Sequence, residues 1–401
     1  MSRSSTQAWQ LSLWPPVVLG LPVLLVLAAL IGCSGATATS AVPAAETSSP
    51  QPQAAAPEWP LFRGDAQATG VALGSLSEKL ELLWTFTASE GFEATPVIDR
   101  DTVYAASVDG TVYAIGLADG LERWKVNIES SFIASPALDN GRIYLGDVDG
   151  RFRCLDAKDG KELWHFDTEA EIDSSANFYR GRVLVGSQDS TLYCLDAASG
   201  QVVWKYATED QIRCQPTIAG QNALVAGCDG RLHIIDLAEG KRVGDVPLDG
   251  PTGCTPAVRG GLAYVGTEGG LFLAADWKQV KEAWRQELPQ IASIRSSAAV
   301  SDAVVVFGAR DKRVRGVHPA TGEELWTFAA RGRIDGSPVI VGDRVFFGSS
   351  DGRVYALDAG SGAVRWEHEA GGSFIGSPAV AAGRLVLAND DGDVFCFGNS
   401  P

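Results

Sequence analysis

Residues 149–164 read DGRFRCLDAKDGKELW, and residues 189–204 read DSTLYCLDAASGQVVW. Each stretch sets an Asp-Gly or Asp-Ser turn before a short apolar-rich strand. An aspartate follows, then a glycine four residues on, then a tryptophan four residues after that: Asp156, Gly160, Trp164 in one and Asp196, Gly200, Trp204 in the other. The same spacing returns at Asp358, Gly362 and Trp366. Working outward, tryptophans stand at 84, 124, 164, 204, 284, 326 and 366, with gaps of 40, 40, 40, 80, 42 and 40 residues. Gly244 occupies the skipped slot. A period near 40 marks a solenoid or a propeller.

The strand after the turn recurs eight times: TVYAIG (111–116), RFRCLD (151–156), TLYCLD (191–196), RLHIID (231–236), LFLAAD (271–276), RVRGVH (313–318), RVYALD (353–358) and DVFCFG (393–398). Turn pairs such as Asp109-Gly110 and Asp351-Gly352 have the chemistry of tight hairpins. Asp156, Asp196, Asp236 and Asp358 fit turn formers that bond the local backbone; a calcium role is the alternative. A further strand starts at each Ser-Pro or its equivalent, so each module supplies four short antiparallel strands, the composition of a propeller blade. The last module ends without a Trp strand, while the first Trp strand, around Glu81 to Thr87, precedes any blade. Pairing the two predicts an all-β, eight-bladed propeller closed by its N-terminal strand, with no exposed sheet edge at the join. Trp84, Trp124, Trp164, Trp204, Trp284, Trp326 and Trp366 are then structural, each wedged between blades.

The first 58 residues stand outside the repeat. Arg3 precedes Val17 to Ile31, an uncharged apolar run that suits the core of an export signal. Leu30-Ile31-Gly32-Cys33 resembles the lipobox of bacterial lipoproteins, which implies cleavage of residues 1–32 and lipidation of Cys33; an uncleaved anchor is the alternative. In that family, serine rather than aspartate after the cysteine, here Ser34, implies the outer membrane where the cell has two membranes. Residues 33–58, rich in Ala, Ser, Thr, Pro and Gln, read as a disordered tether. The propeller is expected over 59–401. A formal charge of −16 argues against nucleic acid. The six cysteines besides Cys33 and the four histidines are scattered without metal-site spacing.

The D-x-x-x-G-x-x-x-W spacing and the ALD-type strand resemble the PQQ-type repeat, and Trp59-Pro60-Leu61-Phe62-Arg63-Gly64-Asp65 with Gly70 is similar to the N-terminal segment of many PQQ-binding-like propellers. Two kinds of protein share that repeat. Quinoprotein dehydrogenases hold pyrroloquinoline quinone (PQQ) and calcium over the ring axis, beside an aspartate base and usually two adjacent cysteines. BamB-type lipoproteins are non-catalytic accessories of outer-membrane β-barrel assembly. Fold alone does not separate them. This chain has no adjacent cysteines and no long insertions between strands, so the expectation is a monomeric, non-catalytic scaffold without cofactor or metal, docking an envelope protein such as the barrel-assembly protein. The alternative is a PQQ- and calcium-dependent dehydrogenase of an alcohol or sugar.

Candidate site residues follow from the strand that begins each module. Two positions ahead of Ser or its equivalent are Glu93, Ile133, Asp173, Arg213, Gly253, Arg295, Asp335 and Ile375. Alternation turns these toward the axis and buries the residue before each. The mouth should therefore carry Glu93, Asp173 and Asp335 with two arginines. Asp173 or Asp335 would be the base under a catalytic reading; a solvated polar channel is the simpler one. The repeat is least regular over 240–318, and a two-residue insertion falls within 286–295. A docking patch is predicted there, with Leu288, Ile291 and Ile294 as apolar anchors beside Arg295; the resemblance to BamB-type proteins adds Ile212 and Arg213 as a second candidate. Cys214 and Cys228 form a candidate disulfide in an oxidising compartment.

Overall fold

The computed structural model describes residues 58–289 and 292–399. The candidate signal, Cys33, the tether up to residue 57 and Ile291 lie outside the described residues. Among the described residues the chain is all-β: eight four-stranded antiparallel sheets, the blades of a propeller. Blades 1 to 7 span 97–127, 137–167, 177–207, 217–247, 257–287, 299–329 and 339–369. Each runs in chain order from a short inner strand to an outer strand. Blade 8 takes three strands from 379–398 and its outer strand from Glu81–Thr87, which pairs antiparallel with Asp393–Gly398 and sets Trp84 opposite Cys396. The ring is sealed by its first strand.

Local chemistry sets each turn. Asp196 Oδ1 accepts the Ser199 hydroxyl (2.7 Å) and the amides of Ser199 (2.9 Å) and Ala198 (3.2 Å), and these bonds hold its carboxyl below the ordinary aspartate range. Asp236 and Asp358 accept the corresponding amides, so these aspartates serve the turn backbone. Gly200 closes the turn at φ +71°, in the left-handed region. On the other hairpin, Tyr193 and Tyr355 donate to the turn carboxylates Asp189 (2.6 Å) and Asp351 (2.9 Å), and Arg315 and His233 face Asp311 and Asp229 from the same slot.

The seams between blades explain the spacing of aspartate, glycine and tryptophan. Every outer strand carries a bulge just before its Trp position, as between Val202 and Trp204 or Glu282 and Trp284. The indole then lies beneath the positive-φ glycine of the next blade: Trp84 under Gly120, Trp124 under Gly160, Trp164 under Gly200, Trp204 under Gly240, Trp284 under Gly322 and Trp326 under Gly362. A Cβ on Gly240 would sit 2.5 Å from the Trp204 ring, so no larger residue fits. The indole nitrogen donates across the same seam, as from Trp124 to Ala157 O (3.1 Å) and from Trp326 to Ala359 O (2.9 Å). At the skipped slot the partners exchange sizes. Gly244 of blade 4 is covered by Val280 of blade 5, whose Cγ1 would lie 2.5 Å from a Cβ at 244. Val280 holds φ +55°, a strained value for a β-branched residue.

Residues 59–72 form a plug, which the repeat did not announce. Moving along this segment, Trp59 pairs with Ile98, and Pro60, Ala66, Gln67, Thr69 and Gly70 offer their carbonyls to the amides of Leu138, Ile218, Val258, Val300 and Ile340. Asn177 Nδ2 reaches Ala66 O at 2.9 Å. Seven blades are thereby laced in order from their inner strands. Arg63, fully buried, ties the plug to Ala298 O (3.1 Å) and Pro338 O (2.6 Å). Burial pushes its guanidinium pKa down to about 9, and the two carbonyls keep the cation satisfied on one side.

Candidate functional site: the axial channel

Each inner segment runs from the channel mouth to the plug. In blade 1 the order is Glu93 at the rim, Thr95 at the waist and Ile98 on the plug. The eight rim positions line one cavity of about 630 Å³, and Phe62 of the plug forms part of its wall. The residues before them, Phe92, Phe132, Ile172, Ile212, Thr252, Ile294, Ile334 and Phe374, are all buried. Ile172, Ile212, Ile294, Ile334 and Phe374 each lock onto a glycine of the preceding blade: a Cβ on Gly186 would lie 2.2 Å from Ile212 Cγ2, and one on Gly266 2.4 Å from Ile294 Cγ2. Close packing of that kind leaves no surface to offer a partner. Ile212 and Ile294 are therefore core residues and not docking anchors, a correction to the sequence reading. Leu288 is half-buried against the same core.

The rim is a ring of mixed charge. Arg213 and Arg295 are exposed. Arg213 bonds the neutral Gln211 Oε1 at 2.7 Å, and Arg295 stands 3.7 Å from Glu268. Arg310, from the hairpin turn of blade 6, reaches Asp335 at 2.6 Å, so that carboxylate is charge-paired. Glu93 is exposed, whereas Asp173 is half-buried and accepts from Gln188 Nε2 at 2.8 Å. Burial raises the Asp173 carboxyl above the ordinary aspartate value, outweighing the pull of nearby Arg213. Among the described residues no group of three or more His, Cys, Asp or Glu side chains converges as a metal site.

Below the rim lies a belt that sequence reasoning used only as a strand marker. The amide of Thr95 donates to Ser135 Oγ (2.9 Å), and Ser135 to Ser175 (3.0 Å). Farther round, Gln215 donates to Thr255, Thr255 to Ser297, Ser297 to Ser337, Ser337 to Ser377, and Ser377 back to Thr95 at 2.8 Å. Seven hydroxyls thus clasp neighbouring blades around the axis. Gln215 replaces the eighth. Its carboxamide lines the channel, is 2% exposed, and has neither Nε2 nor Oε1 partnered among the described residues. The signal was present in the sequence, since position 215 alone breaks a Ser/Thr column.

The candidate disulfide is also corrected. Cys214 and Cys228 are free thiols. Cys214 Sγ faces inward, accepting the Ala226 amide at 3.3 Å, and burial pushes its pKa up to about 12; Cys228 Sγ turns to Thr252 O of the next module at 3.9 Å. The two sulfurs point to different neighbours.

A family model described as outer membrane protein assembly factor BamB matches residues 73–179, 153–243, 220–327 and 310–399. The chain belongs to this family. Among solved structures, BamB from Moraxella catarrhalis is 24% identical, with TM-score 0.69 over 80% of this chain and 98% of that one. A quinohemoprotein alcohol dehydrogenase from Comamonas testosteroni is 16% identical, with TM-score 0.73 over 86% and 81%. Both likenesses speak to the fold. No curated protein matched in sequence. As a BamB-family propeller, the chain shares its ring with enzymes and non-enzymes alike, so its activity must be argued from the channel.

Proposed function

We propose that this BamB-family protein is a non-catalytic, lipid-anchored scaffold of the bacterial envelope, facing the periplasm from the outer membrane and docking a protein of outer-membrane assembly at its channel mouth. The observation that carries this reading is the assembly-factor match, which runs through the repeats from residue 73 to residue 399. The mouth supports it: Arg213 and Arg295 are exposed and weakly engaged, and the exposed Ile133 lies on the same rim. Such guanidinium groups suit carboxylates on an acidic partner strand or loop. Cys33 would supply the anchor, and residues 34–57 the reach.

Arg213→Glu with Arg295→Glu in the full chain tests the docking site. Crosslinked envelopes should yield about tenfold less co-purified partner from the double variant. An unchanged partner set sinks the patch. Cys33→Ala should release the protein from the membrane fraction.

The dehydrogenase likeness supports a second reading, with PQQ and calcium over the axis. The described residues offer calcium no convergent acidic set, and Asp335 is already bound to Arg310. On the scaffold reading, adding PQQ and calcium produces neither the bound cofactor's absorbance nor dye-linked alcohol or sugar oxidation. Either signal would favour the enzyme.

A further inference from the structure

The channel holds polar groups that have no protein partner among the described residues. Gln215 keeps a buried donor and a buried acceptor unpartnered, and Asp173 Oδ1 in the adjoining module is a third buried atom without a partner among the described residues. Buried polar groups in native proteins are ordinarily satisfied, so three in one cavity point to something that satisfies them. The belt adds to the demand. Each of its seven hydroxyl oxygens accepts an amide from the preceding module, and among the described residues none donates its own proton to a protein acceptor.

The mixture of unmet groups selects the ligand. A fully deprotonated inorganic anion such as sulfate would accept from Gln215 Nε2 and the hydroxyls but has no proton for Asp173 Oδ1 or Gln215 Oε1. A simple cation would meet the two acceptors and leave the donors bare. An apolar compound would strand all of them, at the full desolvation cost. Alcohol groups both donate and accept. The cavity, about 630 Å³, lies within the range of roughly 300–1,000 Å³ typical of small-molecule sites, and Phe62 gives its wall an apolar face. We propose that the axial channel binds a neutral polyhydroxylated ligand of mono- to disaccharide size, held by Gln215 at the waist and Asp173 at the rim. A free sugar and the end of a glycan chain share this chemistry.

Gln215→Ser is the discriminating variant, because other modules carry serine at this position without harm. It restores the missing clasp from the Ser175 amide, so its Tm should rise. Asp173→Asn keeps shape and removes the acceptor charge. Saturation-transfer NMR and calorimetry on the whole protein would use glucose, myo-inositol, maltose, cellobiose and trehalose, with maltohexaose and cellohexaose as chain-end probes. At least one should bind with Kd of about 1 mM or tighter, and each variant should weaken it about tenfold while remaining folded. Stronger binding of a hexaose than of its disaccharide supports the proposal with a chain end as the source; equal or weaker binding supports it with a free sugar. No binding across the panel, or binding unchanged in both variants, overturns it. Both variants leave Arg213 and Arg295 intact, so partner capture and sugar binding fail independently.

Discussion

Two neighbouring seams solve one packing problem in opposite ways. Between blades 3 and 4, Trp204 fills the gap and Gly240 of the next blade makes room for it. Between blades 4 and 5 the large group comes from the other side: Gly244 leaves the hollow and Val280 enters it. What the ring conserves is therefore the volume across a seam, not the tryptophan. The second solution forces a valine to φ +55°, which costs on the order of 1–3 kcal/mol and leaves that seam the weaker one.

The largest effect is expected from Trp204→Ala, which empties the regular seam and breaks the indole bond to Leu237 O. Urea unfolding should show a loss of about 3–5 kcal/mol. Gly244→Trp alone should cost about 1–3 kcal/mol, because the new indole meets Val280. Adding Val280→Gly to Gly244→Trp rebuilds the regular seam and releases the strained valine, so the double variant should regain at least the wild-type stability. If the pair is no better than Gly244→Trp alone in a double-mutant cycle, the two seams are not the complementary solutions described.

The smallest effect is expected in the channel, and it separates channel from seam. Burial raises the Asp173 carboxyl in the folded protein, so ionising it opposes folding. Its unfavourable contribution is absent below the ordinary aspartate range and grows as pH rises from there through the raised folded value. Asp173→Asn should therefore match wild type in Tm at acid pH and exceed it slightly at neutral pH. The seam variants should show their differences at both pH values.

The blade count and the closure by Glu81–Thr87 were readable because blade chemistry repeats every forty residues and the leftovers at the two ends complement each other. The rim was readable from strand alternation alone, which put Glu93, Asp173, Arg213 and Arg295 on the channel. The same alternation buried Ile212 and Ile294, and the docking hypothesis overlooked it by asking for apolar anchors there. Two departures were visible as letters but silent as physics. Gln215 broke a hydroxyl column whose clasps join residues about forty apart, and Val280 stood in a glycine column whose partner lies one blade back.

The plug had no comparable signal, since residues 59–72 follow neither the forty-residue period nor a strand alternation. By itself the sequence determined the module, its eightfold recurrence and which residue of each strand faces the axis, because these depend on local turn chemistry and on side-chain periodicity. Only the tertiary structure decided what fills the seams, which groups share the channel and which polar atoms there go unpaired. Those depend on contacts between residues from about twenty-five to more than two hundred positions apart, as Arg310 on Asp335 and Arg63 on Pro338 show. Such distances carry no spacing rule that a single chain can display.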